Sequence, residues 1–335
     1  MGNYKELKGS LVTTLTADPP AAIAQGDIWY RSDTDKYKMG AQVGAWSAGG
    51  AFSFPFVGAG SGGTSTAMIA YSGKGTSPGP SFPTSTWFYN GTAWTDQSAD
   101  LVNASRGYNA STGTQAGAIC AGGHPPGGTF AEEWDGEAWA GLTLLPTGRR
   151  YCQGFGGTSS FVVAGGSTWA GPGMTLSSVV ESWNGSSWTT GTSTPRAWNA
   201  TGGAGAETTG ILSGGGGSPV APGAYDETFT YNGTSWTTET AYPTAVDSQG
   251  YAGDQTATLC FGANTPAPGR SVNTFTYNGT AWTAQGDLTT ARSAGSSSFA
   301  GTTSAATFSG GTMPGNTDAT EEYAFGDGIK SITTS

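Results

Sequence analysis

The stretch Tyr231-Asn-Gly-Thr-Ser-Trp236 recurs as Tyr89-Asn-Gly-Thr-Ala-Trp94, Trp134-Asp-Gly-Glu-Ala-Trp139, Trp183-Asn-Gly-Ser-Ser-Trp188 and Tyr277-Asn-Gly-Thr-Ala-Trp282. Asn-Gly or Asp-Gly between residues of high strand propensity signals a hairpin, and the expected connection is a two-residue type I′ turn with φ > 0 at both central positions. Each copy reads as two outer strands of a small sheet, with an aromatic on the first and Trp on the second. Successive terminal Trp residues lie 45, 49, 48 and 46 positions apart. A period in the forties with several strands per unit marks a propeller or another repeat array.

Working outward from the turn, each unit has four parts. In the second they are Arg106-Gly-Tyr-Asn-Ala110 as first strand, Ala116 to Cys120 ending in Gly122-Gly123, the strand to Trp134, and the strand of Trp139. The diglycine recurs as Gly165-Gly166, Gly214-Gly215 and Gly310-Gly311, with Gly262-Ala263 in the fifth unit. The last unit carries Tyr323 but no following Trp, whereas Trp46 stands alone, 48 residues before Trp94. Six first-strand aromatics (89, 134, 183, 231, 277, 323) then match six Trp residues (46, 94, 139, 188, 236, 282). The expectation is an all-β, six-bladed propeller in which the N-terminal part supplies the outer strand of the last blade. It requires Trp46 beside Tyr323. Seven blades is the alternative, and it would need residues 1–46 to build a blade without a diglycine. The domain reading is 1–46, attachment segment and closing strand, and 47–335, repeats.

Gly is 57 of 335 residues and only 11% are charged, a composition unlike a helical enzyme or a disordered acidic tail. The net charge of −10 lies outside residues 1–46, which balance five bases with five acids. An acidic repeat body argues against nucleic acid as a partner, and no apolar run approaches a membrane span. The opening Met1 to Glu6 is not apolar, so no secretory signal is expected. Cys120, Cys152 and Cys260 read as small buried hydrophobes.

Catalytic groups are scarce. His124, in Gly-Gly-His-Pro-Pro, is the single His and reads as a loop residue. Ser72-Gly-Lys-Gly-Thr76 departs from a phosphate loop, since Gly75 follows the Lys. The pairs Glu132-Glu133 and Glu321-Glu322 would point to opposite strand faces and read as solvated edge residues. Arg106, Arg149 or Arg150, Arg196 and Arg292 could ring the channel or donate between blades to carbonyls. No enzymatic activity, cofactor or metal is expected.

Strand, Gly-Gly, loop, aromatic, a Trp five residues later and an Arg-bearing strand together resemble the kelch repeat over residues 47–335. The resemblance implies four-stranded blades around a channel; the Asn-Gly turns and the low charge depart from it. The segment Gly26-Asp-Ile-Trp-Tyr-Arg-Ser-Asp-Thr-Asp-Lys-Tyr-Lys-Met39 resembles hairpins in structural and tail-fibre proteins of tailed bacteriophages. The whole arrangement, with Trp46-Ser-Ala-Gly-Gly50 and Ile329 to Ser335, is similar to kelch-like proteins of marine phages. It implies a virion location, with other virion proteins met through the N-terminal segment and a host glycan or protein met elsewhere; a homo-oligomer stays open. The loops after each diglycine differ in every unit and would emerge on one face, where binding specificity resides. Candidate binding residues there are Phe82, His124, Trp169, Tyr225 and Arg270. A structural decoration subunit and a polysaccharide hydrolase are the alternatives.

Overall fold

The computed structural model describes residues 13–18, 28–75, 83–103, 106–124, 128–170, 173–217, 223–266, 269–299, 301–313 and 315–332. Among them all helix is absent, and six small antiparallel sheets form a six-bladed β-propeller. Blade one comprises Gly60–Thr64, Ala67–Tyr71, Ser85–Tyr89 and Trp94–Asp100, and blade two Ala110–Thr114, Gly117–Ala121, Ala131–Trp134 and Trp139–Gly141. Blade three comprises Gln153–Gly157, Ser160–Ala164, Val180–Trp183 and Trp188–Thr190; blade four, Gly202–Ala204, Gly210–Ser213, Thr228–Tyr231 and Trp236–Thr238. Blade five comprises Gly250–Asp254, Ala257–Thr265, Gly269–Tyr277 and Trp282–Ala284. Blade six joins Ser296–Ser297 and Ala305–Ser309 to the start of Thr320–Ile332 and the end of Lys36–Ala48. First strands of successive blades neighbour one another in a closed circle, so they are the innermost. Six blades are therefore present, not seven.

The chain divides into two compact units, Trp46–Ala324 and Met1–Ala45 with Phe325–Ser335. In the second of these, Thr13–Leu15 pairs parallel with Ile28–Arg31, which forms a hairpin with the strand that starts at Lys36. Arg31 bridges Asp18 at 2.8 Å and Asp33 at 2.5 Å, and buried Trp29 donates to Asp18 at 3.2 Å.

Inner strands start later than expected. Ala110–Thr114 begins after Arg106 to Asn109, and in blade one Phe52 to Phe56 likewise precede Gly60–Thr64. The turn chemistry also differs from a type I′ pair. Tyr89 pairs with Trp94 across a four-residue loop in which Gly91 alone has positive φ, 87°. Asn90 instead uses its side chain, Oδ1 accepting from the amides of Thr92 and Ala93 at 2.9 Å each. Asp135, Asn184, Asn232 and Asn278 do the same in the next four blades. The motif thus requires a short polar acceptor followed by a residue free to turn left-handed.

Each motif Trp packs on its own blade's aromatic and reaches back one blade. Centroid separations are 5.0 Å for Tyr89–Trp94, 5.7 Å for Trp134–Trp139 and 4.6 Å for Tyr231–Trp236. Trp46 and Tyr323 make the same pair at 5.3 Å, as ring closure requires. The indole N–H of Trp139 donates to Thr86 of blade one, Trp94 to Thr320 of blade six, and Trp46 to Thr274 of blade five. Trp188, Trp236 and Trp282 donate to the carbonyls of Thr143, Thr192 and Thr240, in the connection leaving the preceding blade. A bifunctional side chain, apolar ring plus one donor, suits a position half in one blade and half in the next.

The arginines do not ring the channel. Arg106, Arg149 and Arg292 are buried and pair within their blade with Glu132 (3.0 Å), Glu181 (2.8 Å) and Glu321 (3.0 Å). Glu132 and Glu321 are therefore core residues, not solvated edges, because the neighbouring guanidinium supplies the charge their burial needs. Arg149 and Arg292 also donate to the second-strand carbonyls of Val163 and Phe308, in their own blade rather than the next. At the equivalent positions the other three blades hold apolar pairs: Phe56 with Trp87, Trp198 with Phe229, and Val246 with Phe275. Trp198 and Phe229 are in ring contact at 5.3 Å. Arg196, which stands two residues before this position, pairs instead with Glu227 in a half-exposed bridge.

Three outcomes follow from this packing. Trp46→Ala removes a buried ring and the closing latch, and should cost about 3–5 kcal/mol by urea unfolding. Replacing the whole Arg149–Glu181 pair by Met and Leu should change stability by about 1 kcal/mol or less, because three sister blades already use apolar pairs there. Glu181→Leu alone should cost about 3–5 kcal/mol, since it leaves Arg149 charged and buried.

Candidate functional site

Residues entering the six inner strands form a closed circle on the loop face. The amide of Tyr108 donates to Gly58, Tyr151 to Tyr108, Ala200 to Tyr151, Ser248 to Ala200, Ala294 to Ser248 and Gly58 to Ala294, at 2.7–2.9 Å. All six residues have left-handed φ, between 51° and 64°. Five of them are not glycine, and each such conformation costs about 1 kcal/mol or more, which the circle of hydrogen bonds must offset. The preceding residues are bridged to those that follow each second strand's Gly pair: Val57 to Lys74, Gly107 to His124, Arg150 to Ser167, and so on to Ser293 with Thr312. The circle and the variable loops therefore share one face.

Side chains break the symmetry of this circle. Four positions are small (Gly58, Ala200, Ser248, Ala294), but Tyr108 and Tyr151 stand side by side with ring centroids 4.4 Å apart. The Arg150 guanidinium lies 5.3 Å from the Tyr151 ring centre. Burial pushes the Tyr108 phenol up to about 12, with the Tyr151 ring adding to the shift and Arg150 opposing it. Burial lowers the pKa of His124, and the positive charges of Arg150 and Lys74 lower it further. One half of the mouth is thus aromatic and cationic. The other half carries Asp247, held by Ser248 and by Asn264 at 2.8 Å each.

Below the circle lies a cavity of about 100 Å³, lined by Ser61, Asn109, Ser111, Gln153, Gln249 and Tyr251 among others. The amide atoms Oδ1 and Nδ2 of Asn109 are buried and have no hydrogen-bond partner in the protein. Phe299 lines this cavity and also a second one of about 670 Å³ that includes Thr114, Thr158 and Asp254 from the opposite ends of the inner strands. Its position in the other five blades is held by Gly63, Gly113, Gly156, Gly205 and Gly253, all with positive φ. A Cβ at any of these five would collide with the second strand of its own blade or the turn into it, whereas Phe299, without left-handed φ, lines both cavities.

The expected binding residues are spread around this face. His124 stands at the mouth. Arg270 extends along the long hairpin of blade five and donates to Thr312 of blade six at 3.4 Å. Tyr225 is half-buried against the core of blade four, with the Arg196 guanidinium 4.1 Å from its ring centre, so it acts first as packing. Trp169 contributes backbone to an extra hairpin, Ser167–Ala170 with Gly173–Leu176, while its side chain lies outside the described residues, as does all of Phe82. The sequence alone did not single out Tyr108, Tyr151 or Asn109, and it offered Arg150 only as a ring or inter-blade donor and Lys74 only in a phosphate-loop match that failed. Aligning the units on their arginines exposes the first two, because Arg106-Gly-Tyr108 and Arg149-Arg-Tyr151 face Arg292-Ser-Ala294.

Among the described residues no three His, Cys, Asp or Glu side chains cluster as a metal site would need. The three cysteines are free and buried, and burial raises each thiol's pKa. No protein-family model and no curated protein matches the chain.

The Tyr108 phenol sets a testable alkaline signature. An unfolded tyrosine ionises near 10, so this group's contribution to stability is complete below pH 10 and is lost as pH rises through about 12. Tyr108→Phe should leave stability at pH 7 nearly unchanged and resist alkaline unfolding better between pH 10 and 12, followed by Trp fluorescence.

Proposed function

We propose that this chain is a non-enzymatic recognition protein of a phage virion, presenting the loop face of its propeller to a ligand on the host surface. The N-terminal segment, residues 1–46, serves as the attachment segment to other virion proteins. The observation that carries the binding reading is the broken symmetry of the loop-face circle. Four of the six positions hold Gly, Ala or Ser, yet two adjacent blades carry tyrosines, in the same left-handed conformation, beside Arg150 and His124. Paired aromatic rings beside an arginine and a histidine, gathered where every variable connection emerges, are an arrangement suited to a binding site. The phage context rests on the resemblance of the Gly26–Met39 hairpin and of the repeat organisation.

The test is binding of the purified full chain to candidate host cells, beside the double variant Tyr108→Ala/Tyr151→Ala. Alanine already occupies this circle at Ala200 and Ala294 with the same φ, so the variant should fold. Loss of cell binding by about tenfold or more at unchanged Tm supports the reading. Equal binding by both proteins removes the loop-face mouth from recognition. Absence of binding by the native chain favours a decoration subunit.

A further inference from the structure

We infer that the Asn-Gly turns of the outer hairpins are sites of spontaneous deamidation graded by the fold, with Asn90 and Asn278 losing their side-chain amide to water faster than Asn184 and Asn232. The reaction needs no catalyst, and it is independent of the recognition reading above.

Asparagine followed by glycine is prone to this reaction because no side chain shields the glycine's backbone nitrogen. That nitrogen gives up its proton to water or hydroxide and attacks the asparagine Cγ. The side-chain amide takes up a proton and leaves as ammonia, which closes a five-membered succinimide. Water then opens the ring. Cleavage between the glycine nitrogen and Cγ leaves aspartate on an unchanged backbone. Cleavage between that nitrogen and the main-chain carbonyl leaves isoaspartate, in which the chain runs through Cγ. One water enters, one ammonia leaves, and nothing is oxidised or reduced. Asn90, Asn184, Asn232 and Asn278 are each followed by Gly, and all four are exposed to that water.

The four turns differ in how firmly they hold the side chain. Attack requires the planar carboxamide to rotate over the next residue's nitrogen and then become tetrahedral, which carries Oδ1 away from the donors that fix it. Asn90 Oδ1 accepts from two backbone amides, those of Thr92 and Ala93 at 2.9 Å each, and Asn278 from those of Thr280 and Ala281 at 3.0 and 2.8 Å. Asn184 and Asn232 accept the same two amides and two hydroxyls besides. The hydroxyls are those of Ser186 and Ser187 at 2.9 and 3.4 Å, and of Thr234 and Ser235 at 2.9 and 3.2 Å. Blade two shows what the aspartate product does. Asp135 stands in the same place, accepts from the amides of Ala138 and Glu137 at 2.9 Å each, and has its pKa lowered by them. Aspartate therefore keeps the turn. Isoaspartate does not, because its carboxylate moves onto Cα and the backbone gains a methylene. At Asn90 that lengthening displaces Trp94, whose indole donates to Thr320 of blade six.

The experiment incubates the full chain in mildly alkaline buffer, native and unfolded in urea, and follows each asparagine by peptide mass spectrometry. In urea the four should react at similar rates. In the native chain Asn90 and Asn278 should both react at least about threefold faster than Asn184 and Asn232, the effect of two weak hydrogen bonds. Ala93→Ser and Ser235→Ala exchange the turn sequences of blades one and four, so each variant carries a turn the chain already folds. The first should slow Asn90 and the second should hasten Asn232. Asn90→Asp and Asn278→Asp should keep the native Tm, whereas the Tm of the aged chain should fall as isoaspartate accumulates at Asn90. Equal native rates, the same order in urea, or exchange variants without effect overturn the inference. So does the reverse order, which donors stabilising the developing oxyanion would produce. A lower Tm in either aspartate variant overturns the claim that the turn accepts its product.

Discussion

A closed circle of six backbone hydrogen bonds, each from the entry of one inner strand to the entry of the previous one, sets the geometry of the propeller. It works only if every member adopts left-handed φ, because that conformation points the amide along the circle and not into its own sheet. Five non-glycine residues hold this strained state. The strain is tolerable because each member both donates and accepts within the circle, which offsets a cost of similar size. A circle of this kind cannot be partly made. The last blade must be complete for the first to be satisfied, and that gives the outer closure by Trp46 and Tyr323 its importance.

At the periphery the same logic appears in side chains. The motif Trp donates backward to the preceding blade and stacks on its own, so one residue type per unit reports on two blades. Between centre and rim the blades use two interchangeable solutions. Three bury an arginine–glutamate pair and three bury apolar pairs at the same two positions. Both solutions in one chain show that the site demands volume and internal satisfaction, and that charge is incidental to the fold. The buried arginines Arg106, Arg149 and Arg292 therefore carry no information about ligands.

The repeat is broken most visibly along the axis and on the loop face. Tyr108 and Tyr151 occupy a circle that otherwise holds small residues, Phe299 occupies a position held five times by glycine, and Lys74, His124 and Arg150 gather beside the tyrosines. In a repeated scaffold, an exception costs stability unless something else uses it. Lys74, Tyr108, His124, Arg150 and Tyr151 fall on three consecutive blades at one face, whereas Phe299 of blade six lies further along the axis.

The sequence by itself determined the number of blades, the location of the outer hairpins and the partnership of Trp46 with Tyr323, because each depends on local turn chemistry and on a count of repeats. It also exposed how few groups could perform chemistry. It misassigned Glu132 and Glu321 to solvent, since a carboxylate is read as exposed until its buried partner is known, and Arg106 is 26 positions from Glu132. It took Asn-Gly for a type I′ turn, because the side-chain acceptor role of Asn and its backbone role have the same signature. It looked for binding among the loop residues and did not single out the circle at their base. Only the tertiary structure brought Tyr108 beside Tyr151 and Lys74 near His124, because those contacts arise when separate blades close a circle, and no local pattern in one repeat encodes a neighbour supplied by the next.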